Sequence, residues 1–176
     1  EKQKYYQTVA GKRVTGSKHS VKVTGLQPGT QYIYRICGKR IADDNNAYFM
    51  KYGSEKASKT KNTVRTLDYS ADSCRFAIVS DIHGRDDHFE TLTKGLSPQD
   101  IDFLVVNGDL VSEVYDINKA THHAVDPVQS LVANLPYFYV RGNHEGRGRA
   151  HYQLTDIFPM REPDGWYYTF RQGPVA

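Results

Sequence analysis

Residues 75–84 read RFAIVSDIHG, a short apolar run that ends in a polar motif containing Asp, His and Gly. The same pattern recurs twice, as IDFLVVNGD at residues 101–109 and as PYFYVRGNHE at residues 136–145. Near-continuous apolar runs are typical of strands buried on both faces of a mainly parallel sheet. Because ligands gather at the carboxyl ends of such strands, the three polar motifs are expected to meet at one place.

The segments between these runs have helical character. Residues 86–96 form the first segment, and residues 116–135 contain the second. Within the second, Asp126-Pro127 predicts an N-cap and first turn for a helix over residues 128–135. The order strand, helix, strand, helix, strand predicts a βαβαβ layout in an α/β domain.

The chain changes character near residue 70. Residues 1–67 are rich in Tyr, Thr and Val without a helical period and predict an all-β part, whereas residues 68–73 are polar and predict a linker. The α/β domain is then expected over residues 74–176. Within it, a further helix is expected in residues 147–158 and a further strand over residues 166–170.

Alternating apolar and polar residues predict strands in the amino-terminal part. Residues 20–24 and 31–37 alternate in this way, and the segment 25–30 between them contains Pro and Gly, which favour a tight turn. Residues 62–67 predict another strand, whereas the polar residues 51–61 predict a loop. The first two strands are therefore expected to pair through the turn.

Composition narrows the possible classes of protein. The 176 residues carry a net charge of +3, 24% charged and 39% hydrophobic residues, which is ordinary for a folded globular chain. Lys and Arg are scattered, so nucleic acid is not an expected partner. No apolar run approaches the ~18 residues of a membrane helix, and no membrane span is expected.

The side chains of the three motifs suit a metal site. Asp81, His83, Asp109 and Asn143 offer a mixed oxygen and nitrogen ligand set, which favours iron, zinc or manganese over metals that prefer thiolates. Asp109 follows the middle run and is the natural bridge between two ions. Two ions about 3.5–4 Å apart can hold a phosphate group and activate a water molecule.

The motifs resemble those of calcineurin-like metallophosphoesterases, and among them those of purple acid phosphatases. The family pattern is Asp-X-His, then Gly-Asp, then Gly-Asn-His-Asp/Glu, each behind a strand. The matching segments are DIH at residues 81–83, GD at residues 108–109 and GNHE at residues 142–145. The order and the three apolar runs together make this resemblance specific.

The resemblance implies a role for each matched residue. Asp81, His83 and Asp109 would hold the first metal, and Asp109 and Asn143 the second. His144 would be catalytic rather than a ligand, contacting the phosphate and protonating the leaving oxygen. Two divalent or trivalent ions would be the cofactors, a small phosphate ester the substrate, and attack of a metal-bound hydroxide the reaction. Glu145 would orient the loop.

A second resemblance concerns residues 23–36, VTGLQPGTQYIYRI, which are similar to a turn and strand of a fibronectin type III sandwich. Purple acid phosphatase relatives carry such a sandwich before the catalytic domain and are usually exported. This implies a periplasmic or extracellular location. A complete sandwich needs about 100 residues, so we expect its first strands to lie outside this chain.

Two departures from the purple acid phosphatase pattern are visible. The position three residues after Asp109, a metal-binding Tyr in that family, is Ser112, which argues against a purple ferric site. The late histidine motifs of the family are absent, and we expect them beyond this chain. The chain alone is therefore expected to bind metals weakly and to turn over little.

Several alternatives stay open. A phosphomonoester is the first expected substrate, with a phosphodiester, a nucleotide or a pyrophosphate as the runner-up, and a non-catalytic binding module with a degenerate site as a different class. His122 and His123 are adjacent on a helix and are expected to form a solvated face. Arg141, Arg147 and Arg149 either grip a phosphate or lie on the surface.

Overall fold

The amino-terminal part of the protein contains only β-strands among its described residues. The computed structural model describes residues 3–5, 8–9, 12–13, 15–16, 18–43, 51–158 and 168–175. The first six strands are β1 (Thr8–Val9), β2 (Lys12–Arg13), β3 (Gln31–Tyr34), β4 (Cys37–Asp43), β5 (Lys51–Ala57) and β6 (Asn62–Arg65). They form three antiparallel pairs, β1 with β2, β3 with β6, and β4 with β5. The all-β prediction is thus confirmed for the described residues, whereas a fibronectin-like sandwich stays a prediction.

Strand pairing in this part differs from the expected hairpin. Residues 20–24 are not a strand, and β3 pairs instead with β6, so that Tyr32 lies opposite Val64. The predicted loop at residues 51–61 is also wrong, because its first seven residues form β5. Most β5 side chains are polar and exposed, so the strand depends on backbone pairing with β4 and carries no apolar alternation.

The three apolar runs form a parallel three-stranded sheet in the order β7 (Phe76–Val79), β8 (Phe103–Asn107), β9 (Tyr137–Val140). Burial on both faces is confirmed for β8, whose Phe103, Leu104 and Val106 are almost fully buried. It is wrong for β7, because this strand lies at the edge of the described sheet and leaves Phe76 and Ile78 exposed.

Both predicted helical segments contain helices. The first is α1 (Asp86–Thr93), and the second contains α2 (Ile117–Val125), a 3₁₀ turn (Asp126–Val128) and α3 (Gln129–Val132). These elements pack on one face of the sheet around Phe89, Val106 and Tyr139. Asp126 does not cap a helix as predicted, because its carboxylate contacts His122 instead. The capping residue is Asp116, which accepts a hydrogen bond from the Asn118 amide at the start of α2.

The segment after β9 is more irregular than expected. The predicted helix in residues 147–158 is present only as a 3₁₀ turn (His151–Gln153) and α4 (Leu154–Ile157). The predicted strand over residues 166–170 lies partly outside the described residues, and its described residues 168–170 are not a strand. The Phe170 ring nevertheless stacks on Phe138 at 3.9 Å and covers the second face of the sheet.

Specific hydrogen bonds join the all-β part to the α/β part. The Tyr34 hydroxyl donates to the Ala133 carbonyl at 2.6 Å, and the Thr63 amide donates to Asn134 Oδ1 at 2.8 Å. The Asp68 amide, in the predicted linker, donates to Gln172 Oε1 at 2.6 Å. Among the described residues, no helix combines the length and the apolar character that a membrane crossing would require.

Candidate metal centre

The three polar motifs meet at the carboxyl edge of the parallel sheet, as the sequence predicts. The loop after β7 is hydrogen-bonded along the loop after β8: the Asp81 amide donates to the Gly108 carbonyl at 3.2 Å, and the His83 amide donates to the Asp109 carbonyl at 3.0 Å. The Gly84 amide continues the series with a 2.7 Å bond to the Leu110 carbonyl. The first two motifs are therefore held together by backbone bonds.

Three motif residues adopt a strained backbone conformation. Asp81, His83 and Asp109 have φ values of +59°, +53° and +52°, and among the described residues they are the only non-glycine residues with positive φ. This conformation costs on the order of 1–3 kcal/mol at each position. Strain confined to the polar ends of two neighbouring strands points to a site whose side-chain directions matter.

Two glycines allow the second and third motifs to touch. A methyl group on Gly108 would lie 2.7 Å from the Gly142 Cα atom, and one on Gly142 would lie 2.2 Å from Asp109 Oδ1. Neither distance leaves room for a side chain. The sequence therefore needs glycine at both positions to bring Asp109 against the loop that carries Asn143 and His144.

A buried carboxylate ties the same two loops together. Glu145 is fully buried. Its Oε2 atom accepts from the amides of Asp109 (3.0 Å) and Gly142 (2.7 Å), and its Oε1 atom accepts from the Leu110 amide (2.8 Å). The orienting role expected of Glu145 is thus confirmed, and it extends beyond its own loop to the Gly-Asp loop.

Tyr139 lies beneath this network at the end of β9. Burial, reinforced by the neighbouring Glu145 carboxylate, raises the pKa of the Tyr139 hydroxyl well above its ordinary value. The phenol therefore stays protonated, and the Tyr139 side chain is buried in the core that supports the site.

The side chains of His83, Asp109 and His144 form a compact group of possible metal ligands. One donor atom from each lies within 4.8 Å of the other two, and all three residues are half-buried. The two imidazole rings meet edge to face with centroids 4.5 Å apart. His83 and Asp109 are predicted metal ligands, and His144, predicted to be catalytic, lies beside them.

Asp81 and Asn143 lie next to the group in different ways. The Asp81 side chain is 69% exposed, with Oδ1 4.0 Å from His83 Nε2. The Asn143 amide satisfies its neighbours when its nitrogen donates to Asp109 Oδ2 and its oxygen accepts from Arg147 Nη2, both at 3.1 Å. Asn143 therefore reaches the site through Asp109, and its oxygen would have to leave Arg147 to bind a metal.

His144 is held in one orientation by its surroundings. Its amide donates to Asp109 Oδ1 at 3.0 Å, and its Nδ1 atom lies 2.9 Å from the Ser112 carbonyl. The Ser112 carbonyl can only accept, whereas Arg147 Nη1, 3.2 Å from the same Nδ1 atom, can only donate, so the two contacts require different tautomers. Both involve Nδ1, which makes Nδ1 the ring nitrogen that these groups orient. Ser112, at the position where the purple enzymes have tyrosine, also donates from its hydroxyl to the His83 carbonyl at 3.3 Å.

Of the three arginines that flank the third motif, Arg147 has defined contacts with the site. Besides its contact with Asn143, its Nη1 atom lies 3.2 Å from His144 Nδ1. Arg149 instead lines a surface groove with Tyr115 and Tyr152. A cationic group beside the candidate metal centre suits an anionic substrate.

The expectation of a solvated face is confirmed for His122, whose side chain is 54% exposed, and is wrong for His123, whose side chain is only 16% exposed. Both rings contact Asp86, the first residue of α1, at 3.3 Å from His122 and 2.7 Å from His123. The two oxygens of one carboxylate receive both rings, so adjacent histidines converge although their Cα–Cβ directions diverge. The helical period of the sequence does not predict this cluster, because Asp86 lies in another helix.

The comparisons with known proteins agree with the motifs. The family model described as calcineurin-like phosphoesterase matches residues 74–173. No curated protein matches the chain.

Proposed function

The chain belongs to the calcineurin-like phosphoesterase family, whose members are metal-dependent phosphoesterases, and we propose that it hydrolyses phosphate monoesters with two bound metal ions. The observation that carries this proposal is the convergence of His83, Asp109 and His144, within 4.8 Å of one another, on strained and hydrogen-bonded loops.

The donor atoms of the candidate residues are of types that bind metal ions. We propose that Asp81, His83 and Asp109 hold one ion and that Asp109 and Asn143 hold the other, with iron, zinc or manganese as the metals. Nitrogen and oxygen donors of this kind suit these ions. Bound metals would polarise the phosphate oxygens and lower the pKa of a water molecule.

The protein groups around the ions would then set geometry and charge. The His144 amide donates to Asp109 Oδ1 and so positions the carboxylate. Glu145 positions the backbone of the same residue by accepting from the Asp109 amide. Preorganised ligands of this kind need no rearrangement when substrate arrives. Arg147 would place a positive charge against the phosphate once the Asn143 oxygen has moved from Arg147 to the metal ion.

His144 is the proposed proton donor to the leaving oxygen. Its Nδ1 atom contacts the Ser112 carbonyl, which leaves Nε2 as the ring nitrogen for substrate. Donation from Nε2 requires the imidazolium form of the ring, which would pass its Nε2 proton to the leaving oxygen and become neutral. Proton donation by a positioned side chain typically contributes ~10²–10⁴-fold to the rate. Replacement of His144 by Ala is therefore expected to lower kcat by this factor while metal content is retained. If the His144→Ala variant instead loses a bound metal ion, His144 is a metal ligand rather than the proton donor.

The direct test is metal analysis together with hydrolysis of p-nitrophenyl phosphate in the presence of Mn²⁺ or Zn²⁺, on the natural full-length protein. Asp109→Asn should lower metal content and abolish turnover, because it removes the shared carboxylate. Asp87→Asn is the matched control, since that side chain is 83% exposed. No bound metal and no turnover in the wild-type protein would overturn the proposal and favour a binding module with a degenerate site.

A second substrate panel distinguishes the type of ester. Bis-p-nitrophenyl phosphate, nucleotides and pyrophosphate should be hydrolysed more slowly than the monoester. Faster hydrolysis of any of them would replace the monoesterase proposal by a phosphodiesterase or a nucleotide pyrophosphatase.

We further propose that residues 1–67 are part of a fibronectin-like sandwich and that the protein acts in the periplasm or outside the cell. Support comes from the resemblance of residues 23–36 to a sandwich segment and from the antiparallel pairing of β3 and β6. Cell fractionation tests the location, and recovery of the protein in the cytosolic fraction would contradict it.

A further inference from the structure

We propose that Asp86, His122 and His123 form a second binding site for a divalent transition-metal ion, with zinc as the expected occupant. The site joins the first turn of α1 to the last turn of α2 and is separate from the residues proposed to bind substrate. The inference stands without the proposed function, because it rests on a different group of side chains.

The donor set and its spacing suit zinc. One donor atom from each of the three residues lies within 4.8 Å of the other two. Two ligands at the usual 2.0–2.1 Å from a tetrahedral zinc ion are about 3.3 Å apart, which is the distance between His122 Nε2 and Asp86 Oδ2. The 2.7 Å contact between His123 Nδ1 and Asp86 Oδ1 would have to lengthen by about 0.6 Å as the ion replaces a proton.

A further carboxylate orients one of the ligands. Asp126 Oδ2 lies 2.6 Å from His122 Nδ1, the ring nitrogen that faces away from Asp86. Metal-binding histidines almost always donate their other ring N–H to such a partner, which fixes the tautomer and exposes the lone pair of the ligating nitrogen. Asp126 would therefore orient His122 as a carboxylate orients a zinc-binding histidine, and Asp86 would bind the same ion as His122.

The electrostatic surroundings favour a cation. His122 and His123 lie in the last turn of α2, where the helix dipole is negative. Asp86 and Asp126 add two carboxylates. The nearest cationic residue along the chain, Arg85, directs its Nε atom to the Ile82 carbonyl at 3.3 Å. Three protein ligands would leave a fourth position for water, and two of the three residues are half-buried, so an ion can enter from solvent.

The site is connected to the candidate metal centre through one glycine. The His123 ring lies about 3.5 Å from the place where a Gly84 side chain would begin, and Gly84 directly follows His83. An ion held by Asp86, His122 and His123 would therefore clamp α1 to α2 and brace the loop that carries Asp81 and His83. We expect it to stabilise the protein rather than to contact substrate.

The test separates the two metal sites by mutation. Zinc affinity is measured by competition with a chromophoric chelator in the Asp109→Asn variant, whose first centre is impaired. One equivalent should remain bound, and adding His122→Gln or Asp86→Asn should weaken it at least tenfold. Asp126→Asn, which removes only the orienting group, should weaken it about 10–100-fold. His88→Gln is the matched control, because His88 is an exposed α1 histidine and should leave affinity unchanged.

Further measurements are spectroscopic, and those with zinc need only the wild-type protein. In the wild-type protein, Zn²⁺ should shift the imidazole nitrogen resonances of His122 and His123 and raise Tm. Co²⁺ should give visible absorption bands that survive Asp109→Asn. Unchanged zinc affinity in both His122→Gln and Asp86→Asn, or unshifted His122 and His123 resonances, would overturn the proposal whether or not the protein hydrolyses phosphate esters.

Discussion

Replacing Glu145 by Gln changes one buried oxygen to an amide group and tests how the two loops of the candidate metal centre are held together. The Oε2 atom of Glu145 accepts from two backbone amides, those of Asp109 and Gly142, and the Oε1 atom accepts from those of Leu110 and, at 3.4 Å, Val111. A glutamine oxygen can keep the pair at the Oε2 position, but its NH₂ group then faces the Leu110 amide. A donor would meet a donor in a fully buried position.

The magnitude follows from the hydrogen bonds that are lost. A hydrogen bond to a charged group contributes about 1.5–3 kcal/mol, and a buried amide left without an acceptor costs about 1–3 kcal/mol. We therefore expect Glu145→Gln to lower the free energy of unfolding by about 2–3 kcal/mol. Glu145→Ala leaves four amides, those of Asp109, Leu110, Val111 and Gly142, without this acceptor and should cost more, about 3–5 kcal/mol. Such a loss is a large fraction of the 5–15 kcal/mol that stabilises a typical domain.

Urea unfolding of the wild-type protein and the variants measures these differences, provided that the slope of free energy against urea concentration stays constant. Glu113→Gln is the matched control, because Glu113 is exposed close to the same loop, and it should change stability by less than about 0.5 kcal/mol. A Glu145→Gln variant as stable as the Glu113→Gln control would refute the reasoning. The backbone amides would then not need both carboxylate oxygens as acceptors.

Two further predictions test the packing around the site. Gly142→Ala should lower stability by about 1–3 kcal/mol and impair metal binding, because the new methyl group would lie 2.2 Å from Asp109 Oδ1; Gly146→Ala, whose methyl group would meet only a side-chain carbon at 4.0 Å, should be close to neutral in the same urea and metal-binding assays. The raised pKa of Tyr139 means that the folded state holds this proton more tightly than the unfolded state, so its contribution to stability is complete below pH ~10 and is lost as pH rises beyond that value. Unfolding measured from pH 8 to 11 should show this loss, and Tyr139→Phe should reduce it while Tyr115→Phe, at an exposed position, should not; an equal decline in all three proteins would contradict the assignment.

Much of the α/β part can be predicted from the sequence because its signals are local. The runs at residues 75–84, 101–109 and 136–145 are apolar enough to predict strands, and each ends in a motif whose residue types suit metal binding. The carboxyl ends of neighbouring parallel strands must meet, so convergence follows from the order of elements alone. The family match over residues 74–173 covers the same three motifs.

Other elements carry no local signal. Strand β5 has polar, exposed side chains, and only its pairing with β4 makes it a strand. The exposure of Ile78 depends on the place of β7 at the edge of the described sheet rather than on its composition. The segment between β9 and α4 is irregular because it is tied to Val114. The Val114 amide donates to the Arg147 carbonyl, and the Val114 carbonyl accepts from the Ala150 amide.

The sequence by itself determined the kind of chemistry, since Asp81, His83, Asp109, Asn143 and His144 are set by motif and spacing. The tertiary structure decided which of these side chains meet and what holds them. It brought His144 beside His83 and Asp109, placed the Glu145 carboxylate under two loops, and joined His122 and His123 through Asp86. The physical reason is that residue types limit the possible ligands, whereas contacts between residues about 35 apart along the chain exist only once the strands have paired.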